Sequence, residues 1–285
     1  MTLAGPVDPE RAAEGLGVLR DLGFSVVPSP NLGRRTGYLA GSDDERLAGL
    51  ENLLDAGVDV LIAARGGYGT TRLLPRLPWE RLAAWGGWVV GFSDVTAFHA
   101  GLSRRFPAAT LHAPMVTTLG RDSESTTRLV AWLRGGAGEE LFRLEGAKVL
   151  RGGRASGTAA GGNLSVLAAL EGTLYRPDYE GAVLFLEDVG EPAYRLDRLL
   201  TQLRQTAALT RVAAVLAGEL RDCGRGDEKF EDRWHELLLE AAPAAAVVVA
   251  GLPFGHGTVN LPIPLGATVE VDTRRGAVRW ERAPW

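Results

Sequence analysis

Three side chains that could together carry out acyl transfer stand far apart in the sequence, each near the end of an apolar run. Ser93 follows Trp88-Val89-Val90-Gly91-Phe92, Glu187 follows Val183-Leu184-Phe185-Leu186, and His256 lies between Gly255 and Gly257, shortly after the run 245–250. A hydroxyl, a carboxylate and an imidazole are the parts of a nucleophile, an orienter and a base. The stretch around Ser93 reads as a short buried strand, a sharp turn, and a helix that begins at once with Asp94-Val95-Thr96. A strand-to-helix turn lifts a side-chain oxygen above the sheet edge and leaves free backbone N–H groups beside it. The pattern G-x-S-x-G is half present, because Gly91 fits and Val95 takes the second glycine position. The competing reading has Ser93 cap the helix through its hydroxyl. For Glu187-Asp188 the competing reading is a pair of acids capping the helix expected from about Glu191. His256 has no evident packing purpose, and its two glycine neighbours expose the ring.

A second feature is the loop Arg65-Gly66-Gly67-Tyr68-Gly69-Thr70-Thr71-Arg72, directly after the apolar run 58–64. Its glycines permit a tight turn and a close backbone approach to a ligand. Loops past the carboxyl ends of parallel strands are where open α/β sheets bind. Neither G-x-x-x-x-G-K-[ST] nor G-x-G-x-x-G is matched. A plain tight turn competes with a binding loop here.

The elements that must hold these groups alternate. Asp8-Pro9-Glu10 starts a helix with an Asp cap and Pro at the first position, and Gly23 stops it. Phe24-Ser25-Val26-Val27 reads as a strand. Residues 31–41 form a loop too long to be idle. Ser42-Asp43-Asp44-Glu45 is a capping box opening a helix that Gly57 ends. Residues 58–64 are nearly continuously apolar, as in a parallel strand covered on both faces. Thr110 to Met115 is a further strand ending in a turn, with His112 read as structural. Helix and strand alternate throughout, so the first part, 1–120, is expected to be a doubly wound α/β domain. Such a domain normally opens with a strand, and the chain reaches its first helix cap at Asp8, so a first strand is expected to be lost.

Residues 121–152 change composition, with a helix at 123–133 and glycine breaks after it, and are assigned to the junction. The second domain, 153–285, is expected to be a smaller α/β unit carrying Glu187 and His256. Its helix after Glu191 is expected to turn Tyr194, Leu196, Leu199, Leu200 and Leu203 inward. Helices at 164–170 and 230–241, strands at 212–217 and 245–250, and a terminal hairpin complete it. His235 reads as a surface histidine.

The whole chain of 285 residues is 46% hydrophobic with a formal net charge of −4. No basic block is present, which argues against a nucleic-acid surface. The single cysteine, Cys223, excludes an intramolecular disulfide and a thiolate metal cluster and is read as structural. No signal peptide or spanning apolar run is evident, so neither a membrane partner nor export is expected.

Six stretches in order resemble the LD-carboxypeptidase (muramoyltetrapeptide carboxypeptidase) family of serine peptidases. They are Arg65-Gly66-Gly67-Tyr68-Gly69, Gly91-Phe92-Ser93-Asp94-Val95-Thr96, Gly161-Gly162-Asn163-Leu164, Leu186-Glu187-Asp188-Val189-Gly190-Glu191, Tyr194-Arg195-Leu196-Asp197-Arg198 and Gly255-His256-Gly257. The resemblance implies a triad of Ser93 as nucleophile, His256 as base and Glu187 as orienter. It implies an oxyanion hole from the backbone N–H groups of Asp94 and Gly67, with Gly66 as the alternative to Gly67. It also implies a flavodoxin-like or class I glutamine-amidotransferase-like first domain, a swivelling-type second domain, a homodimer, and no metal or other cofactor. The implied reaction is release of the terminal D-alanine of murein tetrapeptides in the cytoplasm during cell-wall recycling. The family often has His-Gly-Pro where this chain has His112-Ala113-Pro114.

Two alternatives remain, and a third is discounted. The related microcin C self-immunity peptidases use the same triad on aminoacyl-nucleotide peptides, but carry a longer, aromatic-bearing insertion before the Gly-Gly-Asn turn. Here 150–160 is short and has no aromatic residue. A non-catalytic muropeptide or nucleotide sensor would use the Gly66-Gly67 loop alone. A class I amidotransferase needs a cysteine at the elbow, where this chain has Ser93.

Overall fold

The computed structural model describes residues 1–105 and 110–281. The last four residues of the segment 153–285 lie outside the described residues. In chain order the elements are α1 (Pro9–Asp21), α2 (Asp43–Asp55), β1 (Val60–Ile62), α3 (Thr70–Leu73), α4 (Trp79–Trp85), β2 (Trp88–Gly91), α5 (Thr96–Ser103) and β3 (Thr110–His112). Then come α6 (Ser123–Leu133), β4 (Glu140–Arg143), β5 (Lys148–Arg151), β6 (Arg154–Asn163), α7 (Leu164–Leu170), β7 (Val183–Val189) and α8 (Ala193–Gln205). The chain closes with β8 (Ala214–Arg221), α9 (Phe230–Ala241), β9 (Val247–Gly255), β10 (Ile263–Leu265), β11 (Thr268–Asp272) and β12 (Ala277–Trp280).

Local signals set the helix starts. The Asp8 carboxylate accepts from the Arg11 N–H, and Pro9 opens α1. Ser42 and Glu45 form the reciprocal capping box of α2. Asp122 accepts from the Ser125 N–H at the start of α6.

Two sheets result. The first has the order β1-β2-β3-β10, with β1, β2 and β3 parallel and β10 antiparallel to β3. Residues 1–5 run along the free side of β1: Met1 donates to Ile62 O, Ala64 N donates to Met1 O, and Gly5 N donates to Gly66 O. This slanted pattern is that of a parallel neighbour. The expected loss of a first strand is therefore corrected, because residues 1–5 occupy that edge. The expected strand at 24–27 is extended chain that enters neither sheet.

The second sheet has the order β4-β12-β11-β6-β7-β8-β9-β5. Its centre, β6 to β9, is parallel, and antiparallel strands flank it on both sides. With eight strands against four, it is the larger of the two sheets. The stretch 121–152 supplies α6 and two strands of this sheet, and β10 returns to the first sheet.

A shared core fixes the two sheets to each other. Val90 and Leu111 of the first sheet, Ile263 of β10, and Phe142, Phe185, Val249 and Phe254 of the second belong to one buried cluster. The outer face of the second sheet is covered by α7, α8 and α9 through Leu167, Leu196, Leu200, Leu203, Trp234 and Leu238. Tyr194 is 61% exposed, so the inward face of α8 is narrower than expected, while Leu199 is partly buried against this cluster. On the first sheet, α1 packs so closely that a Cβ at Gly15 would strike the Val116 carbonyl.

Candidate active site

Ser93 stands at the turn between β2 and α5 with φ +63°, a left-handed conformation that costs a non-glycine residue about 1–2 kcal/mol. Ser93 makes no cap bond to the helix that follows. The cap reading is thereby excluded, and the strained turn aims the hydroxyl elsewhere. Gly91 is needed here, since a Cβ would press on Ala63 and Val95 at 3.0 Å.

The Ser93 Oγ lies 3.1 Å from His256 Nε2. On the other side of the ring, Nδ1–H donates to Glu187 Oε2. A carboxylate can only accept, so this bond places the ring proton on Nδ1 and leaves Nε2 free to accept from the serine. Glu187 is fully buried at the end of β7. Gly255 allows this approach: a Cβ there would come within 2.8 Å of Glu187 Cβ. The His256 ring also meets the Phe92 ring edge-on at 4.8 Å between centroids.

Polar ties hold these three strand ends together. The Asn163 N–H donates to Thr96 Oγ1 at 2.9 Å, joining the end of β6 to the first turn of α5. A Cβ at Gly162 would strike the same Thr96 hydroxyl, so the glycine is a docking requirement. Asp188 accepts from Ser165 N and Oγ and from Asn163 Nδ2. It therefore serves the start of α7, and the competing reading, in which Glu187 and Asp188 cap α8, does not hold. The His256 loop is pinned by Asn260, which accepts from Gly255 N at 2.9 Å and donates its own N–H to Ser125 Oγ at 2.9 Å. Asn260 escapes sequence reasoning because both of its partners are set by tertiary packing.

Asp94 and the glycine loop form the other wall. The Asp94 carboxylate accepts from Thr70 N at 2.8 Å, which ties the loop 65–69 to the elbow. Burial raises its pKa, and the Thr70 and Gly69 hydrogen bonds oppose that rise. Buried Arg46 donates to the carbonyls of Leu3 and Gly69 from beneath. Gly66 touches the serine: a Cβ would come 2.8 Å from Ser93 Cβ and 2.9 Å from Oγ. Gly67 has φ +114° and lies against Gly5. Gly66→Ala is therefore expected to displace the serine. Hydrolysis should fall at least about 10-fold in a protein that still melts cooperatively; steady-state kinetics beside thermal unfolding check this.

Ser93, Gly66, Gly67, Phe92 and His256 line one cleft of about 1170 Å³. His112 lies behind it, fully buried against Phe92 and Phe254, with no hydrogen bond to either ring nitrogen among the described residues. His99 Nε2 meets the Gly91 carbonyl at 2.9 Å. Burial lowers both histidines to about 4. Below pH 6.5 the unfolded chain takes protons that these two refuse, so their contribution to stability falls as the pH drops from 6.5 towards 4. The slope is up to about 1.4 kcal/mol per pH unit for each. Asp94 and Asp188, raised by burial, act in the opposite sense above pH 3.8. Chemical denaturation from pH 7 to 5 should thus show a smaller loss of stability for His99→Gln than for wild type.

No group of His, Cys, Asp and Glu among the described residues could hold a metal ion. Cys223 is buried, accepts from the Glu191 N–H, and has its thiol pushed up to about 11 by burial. Among the described residues no helix is long and apolar enough to cross a membrane.

Residues 1–113 match the LD-carboxypeptidase N-terminal domain and 156–271 the LD-carboxypeptidase C-terminal domain. A Streptomyces coelicolor protein described as a putative carboxypeptidase is 39% identical, over 98% of this chain and 91% of its own. The chain belongs to the LD-carboxypeptidase family. The murein tetrapeptide carboxypeptidase of Pseudomonas aeruginosa is 36% identical over 85% of this chain and 81% of its own. Among solved structures, the muramoyltetrapeptide carboxypeptidase of Oxalobacter formigenes superposes with a TM-score of 0.83 at 29% identity, covering 98% of this chain and 96% of that one. The microcin C7 self-immunity protein MccF of Escherichia coli is also similar, at 25% identity over 92% of this chain and 85% of its own.

Proposed function

We propose that this protein is a serine LD-carboxypeptidase that releases the terminal D-alanine of murein tetrapeptides. The observation that carries the reading is the line Ser93–His256–Glu187 opening into the cleft. Ser93 Oγ attacks the carbonyl carbon of the last peptide bond, and Nε2 of His256 takes the hydroxyl proton. Glu187 holds the imidazole in the required tautomer and balances the imidazolium that forms. The oxyanion sits between the N–H of Asp94 and that of Gly67. One such donor contributes about 3 kcal/mol to the barrier reduction. Collapse breaks the C–N bond, His256 returns the proton to the leaving amine, and D-alanine departs. Water then attacks the acyl-serine by the same proton route, releasing the shortened peptide and regenerating the hydroxyl.

In this reading the first unit, 1–120, is a flavodoxin-like carrier of the nucleophile, and the unit after 152 supplies the acid and the base. The enzyme works in the cytoplasm as a homodimer, in recycling of cell-wall peptides. The aminoacyl-nucleotide alternative is disfavoured locally. Only Gly152 and Gly153 separate β5 from β6, and residues 148–163, from β5 to the Gly161-Gly162-Asn163 turn, include no aromatic side chain. The experiment is D-alanine release from a purified murein tetrapeptide, run beside an aminoacyl-nucleotide peptide. Preferential release of D-alanine supports the assignment. Turnover of the nucleotide substrate alone moves the protein to the self-immunity group, and no turnover of either leaves the sensor reading.

A further inference from the structure

The wall of the cleft away from the glycine loop carries three arginines from three separate elements. Arg11 comes from α1, Arg121 from the turn before α6, and Arg221 from the end of β8. The acids nearby do not neutralise them. The Asp8 carboxylate is engaged at the start of α1 and the Asp122 carboxylate accepts from Ser125 N and Oγ. Glu14 is the remaining acid on this wall, and no ion pair joins it to an arginine among the described residues. Arg221 donates to the His256 carbonyl at 3.2 Å, so its guanidinium is tied to the loop that carries the imidazole. Its nearest acid is Asp222 at 3.8 Å, and Asp222 is held more closely by Arg225 at 2.8 Å. The Arg121 guanidinium makes no hydrogen bond or ion pair among the described residues, although its backbone N–H donates to the Thr118 carbonyl. Arg121 is itself exposed, and desolvation at the cleft wall, together with repulsion from Arg11 and Arg221, pulls its pKa below the ordinary arginine value.

Like charges gathered in a cleft repel one another, and an anion placed among them relieves that cost. A guanidinium also presents a planar fork that fits a carboxylate in two parallel bonds. We propose that Arg121, flanked by Arg11 and Arg221, binds a carboxylate of the peptide substrate and so makes the cleft selective for anionic peptides. This rests on the reading of the protein as a murein-peptide hydrolase. Arg121 is then a specificity residue: it acts on substrate binding and leaves the proton transfers at Ser93 and His256 untouched.

The test compares wild type, Arg121→Gln and Arg121→Lys on the tetrapeptide and on three analogues, each lacking one carboxylate. One has a C-terminal amide, one has the glutamate α-carboxylate amidated, and one has lysine in place of the diamino acid. On the parent peptide Arg121→Gln should raise KM about 10- to 100-fold, with a much smaller change in kcat. Arg121→Lys should recover part of the loss, since it keeps the charge and loses the fork. On one analogue the penalty of Arg121→Gln should vanish, which names the carboxylate bound. An equal penalty on all four peptides, or none on the parent, overturns the proposal. If wild type hydrolyses no peptide, the functional reading fails separately. Calorimetric binding of the same peptides to wild type and Arg121→Gln then decides: carboxylate-dependent binding lost in the variant supports the arginine receptor, and its absence overturns it.

Discussion

Ser93→Ala should lower kcat/KM for tetrapeptide hydrolysis by about 10⁴-fold or more, with thermal stability unchanged or slightly raised. The size follows from the role. Removing the Oγ removes the covalent route, and only the oxyanion donors and substrate binding remain. The stability follows from the turn: Ser93 sits at φ +63° and caps nothing, so the hydroxyl contributes little to folding. Substrate affinity should survive, because the arginine wall and the glycine loop are unaltered. Kinetics on the variant beside its melting curve check all three. A loss of less than about 10-fold in a folded variant contradicts the nucleophile role.

Glu187→Gln should cost about 10³- to 10⁴-fold in kcat, by a different route. The amide is nearly isosteric, so the buried packing at the end of β7 is kept. The amide can, however, present its N–H₂ to Nδ1, which favours the tautomer with the proton on Nε2. The ring then cannot accept from Ser93, and the imidazolium loses its counter-charge. The affected quantity is kcat more than KM, since Glu187 is fully buried and reaches no substrate. A pH–rate profile on the variant distinguishes this from unfolding: activity should partly recover at high pH, where hydroxide competes for the serine proton. A Glu187→Gln enzyme with near wild-type kcat contradicts the orienter role.

Much of this is legible in the sequence itself. Helix starts at Asp8, Ser42 and Asp122 carry local caps, and local chemistry survives folding. The glycines around the site were legible as turns, and the structure adds why each is glycine: Gly66 faces Ser93, Gly162 faces Thr96 and Gly255 faces Glu187. The edge of the first sheet is less legible. β10 pairs with β3 across roughly 150 residues of chain, as the Ile263–His112 register shows, and no local signal encodes such a partner. The adjacent acids Glu187 and Asp188 look alike in sequence. They separate only because successive side chains of a strand point to opposite faces, sending one to His256 and the other to Ser165. Residues 1–5 are too short a run to read as a strand, yet three backbone bonds join them to Ile62 at the end of β1 and to Ala64 and Gly66 just beyond it. The arginine wall was invisible for the same reason as Asn260: its members meet only in space.

The most direct measurement is covalent labelling of the protein with a serine-directed fluorophosphonate, followed by peptide mapping. The account predicts a single adduct on the peptide containing Ser93, abolished in Ser93→Ala and strongly slowed in His256→Ala. Labelling that persists in Ser93→Ala, or no adduct on Ser93 in folded wild type that hydrolyses its substrate, would contradict it.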